Sequence, residues 1–472
     1  MDLKDENMKG YGTILMLMSF VALMIMFIDI MLVPALQYIA ADFSDYNEWI
    51  PWILSIYMLV GAVLNPVVGK LADIYGKRKM LLITLVIYTV GLVGCALMYD
   101  SFIWFLGFRA LQGIGLTMFP LFYGIIRDTF PKDMVAMSIG IVSAMFSIGV
   151  SVGLLGGGWI VSQFEWEYCY YLMAPLFVIL IPVFYYKIHD AGVFIPGRKI
   201  DSIGAGVLSV CILSLLIALT VLEEKGFESF VILSCLAFFV FSLVFFVFWE
   251  NRTKEPLMKL TLLTGRGAGA HLTAFLYGIA MFMLFQTLPF FLSTPKLYDG
   301  FGISDTFDIG LVMLPMAIMG LIFGPMAGKL CKKTGVSIKL LGAGMALFAL
   351  GDLLLIFLHS ELWMIILSLC LSGIGNALTM VSMINVVVET SPAEDFGIAS
   401  GMNTMFRLIG GAIGPVLGVT ILSGYVIDIF YGVKIYGIDG YVLTWVAGVV
   451  FCVLGSVSAF ILKPKKSVQS TV

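Results

Sequence analysis

Charge is scarce in this chain. Only 12% of the 472 residues are Asp, Glu, Lys or Arg, 60% are hydrophobic, and the mean hydropathy is +1.04. That balance excludes a soluble domain of ordinary proportions, which could not hide so much apolar surface. Histidine is rarer still: His189, His271 and His359 are too scattered for a metal cluster. There is no Gly-xxxx-Gly-Lys-Ser/Thr phosphate loop, so direct ATP hydrolysis is unsupported, and no Ser/His/Asp arrangement can be nominated. The seven cysteines are odd in number and lack metal spacing, and Cys95, Cys211, Cys235, Cys370 and Cys452 lie in apolar runs. They read as small core residues rather than a disulfide framework. No nucleic-acid patch is visible. The chain is expected not to be an enzyme and to need no cofactor.

What it has in abundance is apolar runs of about 20 residues, long enough to cross a ~30 Å hydrocarbon core. Fourteen are expected, near 12–34, 50–68, 81–97, 103–126, 134–161, 168–186, 203–222, 230–249, 272–292, 309–327, 340–358, 362–388, 396–425 and 441–462. The fold class is therefore an all-α polytopic membrane protein with the lipid bilayer as its solvent. Of the 27 Lys and Arg, only Lys225, Lys296 and Lys434 fall in odd-numbered loops, and Arg109 and Arg407 inside helices. The rest gather on the side shared by both termini, which the positive-inside rule makes cytoplasmic. The other side is acidic where charged, at Asp42, Asp45, Glu48, Glu165, Glu167, Glu223 and Glu224. The polar first ten residues carry no cleavage signal, and helix 1 is expected to serve as an uncleaved insertion signal.

The chain is also duplicated. The tract Gly69-Lys-Leu-Ala-Asp73-Ile-Tyr-Gly76-Lys77-Arg78-Lys79 joins helices 2 and 3, and Gly328-Lys-Leu-Cys-Lys332-Lys-Thr-Gly335 reproduces its skeleton 259 residues later, with Pro66 and Pro325 at the same offset. Arg109-Ala-Leu-Gln112-Gly113-Ile-Gly115 is echoed by Gly373-Ile-Gly375-Asn376, and Gly149-xxx-Gly153 by Gly410-xxx-Gly414. A six-helix unit used twice leaves a pair of extra helices between the copies. The expected domains are 1–190, a six-helix half; 191–266, an inserted pair with its linkers (187–200 and 251–266); and 267–472, the second half. Two parallel repeats place a cavity near the midplane between them, exposed alternately to each side.

These residues resemble the major facilitator superfamily and, within it, the fourteen-helix drug:proton antiporters of multidrug efflux type. The 69–79 tract matches the superfamily's loop 2–3 signature and Arg109-xx-Gln112-Gly113-x-Gly115 its helix 4 signature. Gly310 to Pro315 and Gly401-Met-Asn403-xxx-Arg407 are similar to the fourteen-helix members. Two departures stand out. The antiporter signature of helix 5, Gly-xxx-Gly-Pro-xx-Gly-Gly, here reads Gly149-xxx-Gly153-Leu154-xx-Gly157-Gly158 without its proline, and Asp29 stands one residue closer to Pro34-Ala-Leu than in the family pattern.

Ionisable groups inside a bilayer cost roughly 2.5–3.5 kcal/mol on insertion scales, so they are functional candidates. Asp29 is a candidate titrating carboxylate or a recogniser of cations. Arg109 is either a clamp on backbone carbonyls or, as the resemblance implies, a partner in proton coupling. Asp352 either lines the cavity or is a satisfied interhelical contact. Asp73 can accept hydrogen bonds from a neighbouring helix N-terminus and pair with the basic run, latching one conformation together with Gly69, Gly76, Lys77 and Arg78. Lys332 replaces that acid in the second copy. Gly149, Gly153, Gly157 and Gly158 permit close helix packing. Tyr57, Gln112, Tyr123, Asn376, Asn403 and Arg407 are candidate cavity residues, with Trp52, Phe119, Phe285 and Phe290 as possible apolar lining, and Arg407 can bind an anionic group or lock packing.

The expected function is proton-coupled export of small amphipathic or cationic organic compounds by alternating access, by a monomer in the cell membrane, with the proton gradient as energy source. The alternatives are an importer of the same fold, favoured by Leu154, and a non-transporting membrane sensor.

Overall fold

A computed structural model describes residues 3–50, 52–188, 201–225, 229–253, 256–258, 263, 265–332, 336–430 and 433–461. Parts of both linkers and Gly335 lie outside them. Among the described residues fourteen helices are long and apolar enough to cross a membrane. They are α1 (Leu3–Ile30), α2 (Trp52–Tyr75), α3 (Lys77–Leu97), α4 (Phe102–Thr129), α5 (Lys132–Gln163), α6 (Tyr168–Lys187), α7 (Ser202–Lys225), α8 (Phe230–Glu250), α9 (Gly265–Ser293), α10 (Thr306–Leu330), α11 (Val336–Phe357), α12 (Leu362–Thr390), α13 (Phe396–Ser423) and α14 (Ile438–Ile461). The chain is thus a multi-pass membrane protein, as its apolar runs require.

Helix ends follow local chemistry. Gly76 has φ 94°, a conformation open to glycine, and it reverses the chain between α2 and α3 within one residue. Asp305 caps α10 by accepting from the Phe307 N–H at 2.9 Å. Pro131 precedes the first turn of α5. Within α4 the backbone tightens to a 3-10 turn over Gly113–Thr117, where Gly113 lies against Tyr57 and Val60 of α2. Among the elements not expected are a short helix, Leu36–Asp42, and an antiparallel hairpin, β1 (Val426–Phe430) with β2 (Val433–Tyr436), whose Asp428 accepts from Tyr298.

The packing repeats. Within α1–α6 the pairs α1/α5 and α3/α6 touch along their lengths, and within α9–α14 the corresponding pairs α9/α13 and α11/α14 do the same. Two long seams join the sets, α2 with α13 and α5 with α10, each a second helix against the other set's fifth.

Glycine sets how close these seams come. A Cβ on Gly401 would stand 2.5 Å from the Asn65 carbonyl oxygen, and one on Gly140 2.6 Å from that of Gly324.

The pair α7/α8 stays outside. Only 17% of the most apolar stretch of α8 is buried, against 72% in α5. Besides its partner, α7 touches α2 and α13. Near its end on the terminus-bearing face the pair is tied down: Glu250 accepts from the Leu257 and Met258 N–H groups at 3.2 and 3.0 Å, and Lys70 of α2 donates to the Pro256 carbonyl at 3.1 Å.

Candidate functional site

With fourteen crossings, α2 ends, α3 begins and α13 begins on one face, the one carrying the termini. There the loop 2–3 tract performs the contact its residue types suggested. Asp73, buried, accepts from the Gly397 N–H through Oδ1 and the Ile398 N–H through Oδ2, both at 3.0 Å. These are first-turn donors of α13, unsatisfied within their own helix, so the carboxylate meets both hydrogen-bonding groups and the positive end of the helix dipole.

Lys77 stands 3.6 Å from Asp73 and 2.7 Å from Asp128, its stem laid against Gly124. Arg78 turns the other way, donating to the Tyr185 carbonyl of α6 at 2.8 Å. Gly69 is bare because the Gly397 backbone presses against it. A second strap, which the sequence did not advertise, is Arg127 of α4. It donates to the carbonyls of Val388, Ser391 and Pro392 and lies 4.5 Å over the Phe396 ring. On this face the two six-helix sets are closed onto each other.

Asp29 and Arg109, eighty residues apart in sequence, meet inside the first set. Arg109 Nη1 is 3.4 Å from Asp29 Oδ1 and 2.7 Å from Gln112 Oε1; Nη2 donates to the Asp29 carbonyl and Nε to the Ile53 carbonyl, each at 3.1 Å. The guanidinium also lies 4.5 Å over Tyr57. Gln112 donates onward to the Gly91 carbonyl and the Cys95 sulfur. Tyr57 and Gln112 are therefore parts of this charge cluster, which is buried throughout and sits about 10 Å in from the start of α4 at 1.5 Å per residue. Asp29 Oδ2 alone has no hydrogen-bond partner among the described residues.

The contact between the sets near mid-depth is different. Arg407, eleven residues or about 17 Å into α13, lies with its guanidinium 4.5 Å over the ring of Phe146 on α5. Phe146 stands three residues before Gly149, and Arg407 three before Gly410, so they hold the same register in the two copies. Repeat-mates that touch lie near the axis relating the copies. Around them Tyr123 of α4 shares a hydrogen bond with Ser143 at 3.1 Å, Asn376 of α12 donates to Ser147 of α5 at 2.6 Å, and Tyr277 of α9 donates to Asn376. Phe119 edges onto Phe146 at 5.8 Å. Asn403 points elsewhere, donating to the Ala270 carbonyl of α9 at 3.1 Å.

Asp352 belongs to neither group. It is buried on α11, which packs mainly on α12 and α14, and a Cβ on Gly448 of α14 would lie 2.6 Å from its Oδ2. The helix 5 glycines pack α5 on α1: a Cβ on Gly149 would meet Met26, one on Gly153 Phe27, and one on Gly157 Met31, while Gly158 faces Phe307 of α10. Leu154 keeps its backbone N–H, and α5 runs unbroken through it. Of the aromatic candidates, Trp52 and Phe285 are half-buried and Phe290 is exposed.

A family model described as Major Facilitator Superfamily matches residues 16–415 and 270–471. Similar curated proteins include the multidrug transporter protein MdtP of Bacillus subtilis (27% identical; 88% of this chain, 76% of the relative) and the tetracenomycin C resistance and export protein of Streptomyces glaucescens (29%; 84% and 72%). The multidrug resistance protein Stp of Mycobacterium tuberculosis is 29% identical over 84% of this chain and 73% of its own. Among solved structures, the proton:xylose symporter XylE superposes with a TM-score of 0.65 at 12% identity, over 95% of both chains, and the human organic anion transporter MFSD10 at 0.65 and 15%, over 96% and 99%. At those identities the likeness speaks for the fold. Duplicated six-helix packing, the loop 2–3 contact with α13 and these matches together identify the chain as a member of the major facilitator superfamily, whose members are transporters and not enzymes.

Proposed function

We propose that the protein is a proton-driven exporter of small amphipathic organic compounds, working by alternating access in the cell membrane with both termini cytoplasmic. The observation that carries this reading is the pairing of a gate with a buried, incompletely satisfied acid. The gate is the Asp73 contact with the first turn of α13. The acid is Asp29, held through one oxygen by Arg109 and free at the other. Protonation of Asp29 removes the charge from its side-chain hold on Arg109, which keeps the Asp29 and Ile53 carbonyls and Gln112, and so weakens one of the two bonds between α1 and α4. Inward proton flow is downhill in an energised cell, with the membrane potential alone worth about 2.3 kcal/mol per charge per 100 mV. The multidrug and export relatives support the direction and a drug-like substrate.

The test is transport of a dye and drug panel in proteoliposomes under an imposed pH gradient. Uphill movement opposite to the proton flux, abolished by a protonophore and by Asp29→Asn, is expected. Undiminished uphill transport by Asp29→Asn removes that residue from the mechanism. A second reading, uptake by symport on the same fold, draws on Leu154 in place of the antiporter proline; accumulation in the same direction as the proton flux would select it.

A further inference from the structure

Arg407 is a buried cation without a counter-charge. It is 3% exposed, its Nη1 has no hydrogen-bond partner among the described residues, no Asp or Glu among them pairs with it, and its guanidinium lies over the Phe146 ring. Tyr123 and Tyr277, on the neighbouring α4 and α9, are already hydrogen-bonded to Ser143 and Asn376. The acids of the bundle interior are committed or distant: Asp29 is held by Arg109 in the outer part of the first set, and Asp352 lies against α14. Leaving a guanidinium unpaired in a low-dielectric interior is unfavourable, and the position is near the axis between the two sets, where α4, α5, α9, α12 and α13 converge.

We propose that Arg407 is the recognition point for an anionic group, a carboxylate or sulfonate, on the transported molecule, so that the preferred substrates are amphipathic organic anions and cationic amphiphiles are disfavoured. This rests on the reading of the chain as an exporter of amphipathic compounds and fixes the sign of charge it accepts. The guanidinium supplies a planar fork of donors matched to a carboxylate or sulfonate. Phe146 backs its face, and Phe119 with Phe146 gives the apolar body of the ligand a ring surface. A cation entering the same place meets a fixed like charge in a medium that screens it poorly.

The test uses the full-length protein in nanodiscs, with no gradient, and three fluorescent probes of one scaffold at neutral pH: dansylglycine (anionic), dansylcadaverine (cationic) and dansylamide (neutral). The anionic probe should bind about tenfold or more tightly than the cationic one, the factor of one charge-assisted contact. Arg407→Gln should erase that preference while holding the neutral probe within about threefold, which reports that the site is still folded. Arg407→Lys should retain most of the preference. The proposal is overturned by a cationic probe that binds as tightly as the anion, by anion affinity unchanged in Arg407→Gln, or by failure of all three probes to bind. Because binding needs no pH gradient, a protein that selects the anion yet fails to move it uphill keeps this assignment and loses the proton-coupled reading instead.

Discussion

Two arginines among the described residues are buried in this bundle, and their surroundings are opposites. Arg109 has a carboxylate, a glutamine, two carbonyls and a ring. Arg407 has a ring and, among the described residues, no carboxylate. A saturated cation belongs to the architecture, because nothing further is required for it to remain charged in place. An unsaturated one between two moving bodies is incomplete until something arrives. The difference separates a residue that holds helices from one that waits for a ligand, although both were equally conspicuous as charges in apolar runs.

Exchanging each arginine for a residue of similar bulk tests that separation most severely. Arg109→Leu should lower stability by roughly 3–5 kcal/mol by stranding Asp29, seen as a large drop in thermal midpoint in nanodiscs. Arg407→Leu should leave the midpoint unchanged or raise it. Similar losses in both would erase the distinction. The double variant Asp29→Asn/Arg109→Leu should recover part of what Arg109→Leu loses, and strict additivity would show that the two groups do not interact.

A smaller effect is expected at the gate. Asp73→Asn keeps the shape but removes the charge from the α13 cap, weakening the closed face by about 1–2 kcal/mol. Cysteines placed beside Gly401 should then label faster from that face, and an identical labelling pattern would reduce the tract to a packing and topology element. Smallest of all, Ser242→Ala on α8, which loses a bond to its own helix's Phe238 carbonyl, should shift probe affinity by less than about twofold; a larger shift would bring the inserted pair into the binding site.

Much of the fold was legible because a bilayer leaves few choices: an apolar run of about twenty residues has to be a helix. The contact of Asp73 with a helix N-terminus was legible too, since an acid in a glycine-bounded turn has few other partners. The Asp29–Arg109 pair was not, because helices do not announce their neighbours across eighty residues, and Tyr57 and Gln112 looked like cavity residues for the same reason. Arg127 passed as a topology charge at a helix end. Phe146 carried a usable signal, its place opposite Arg407 in the repeat, which ranks it above other aromatics. The hairpin hides between two apolar runs, where its alternating Val433-Lys-Ile-Tyr stretch is short and adjoins a helix.

The tether from Lys70 to Pro256 reaches further than its single hydrogen bond suggests. Lys70 is one residue from Gly69 in the latch helix, and α7 rests on both α2 and α13. If those two helices part on the terminus-bearing face, α7 cannot ride rigidly with both, so one of its contacts has to slip. Its partner α8 presents Phe238, Phe241, Phe245 and Phe248 outward. Bilayer thickness and lateral pressure acting on that aromatic surface would then be felt where α2 meets α13.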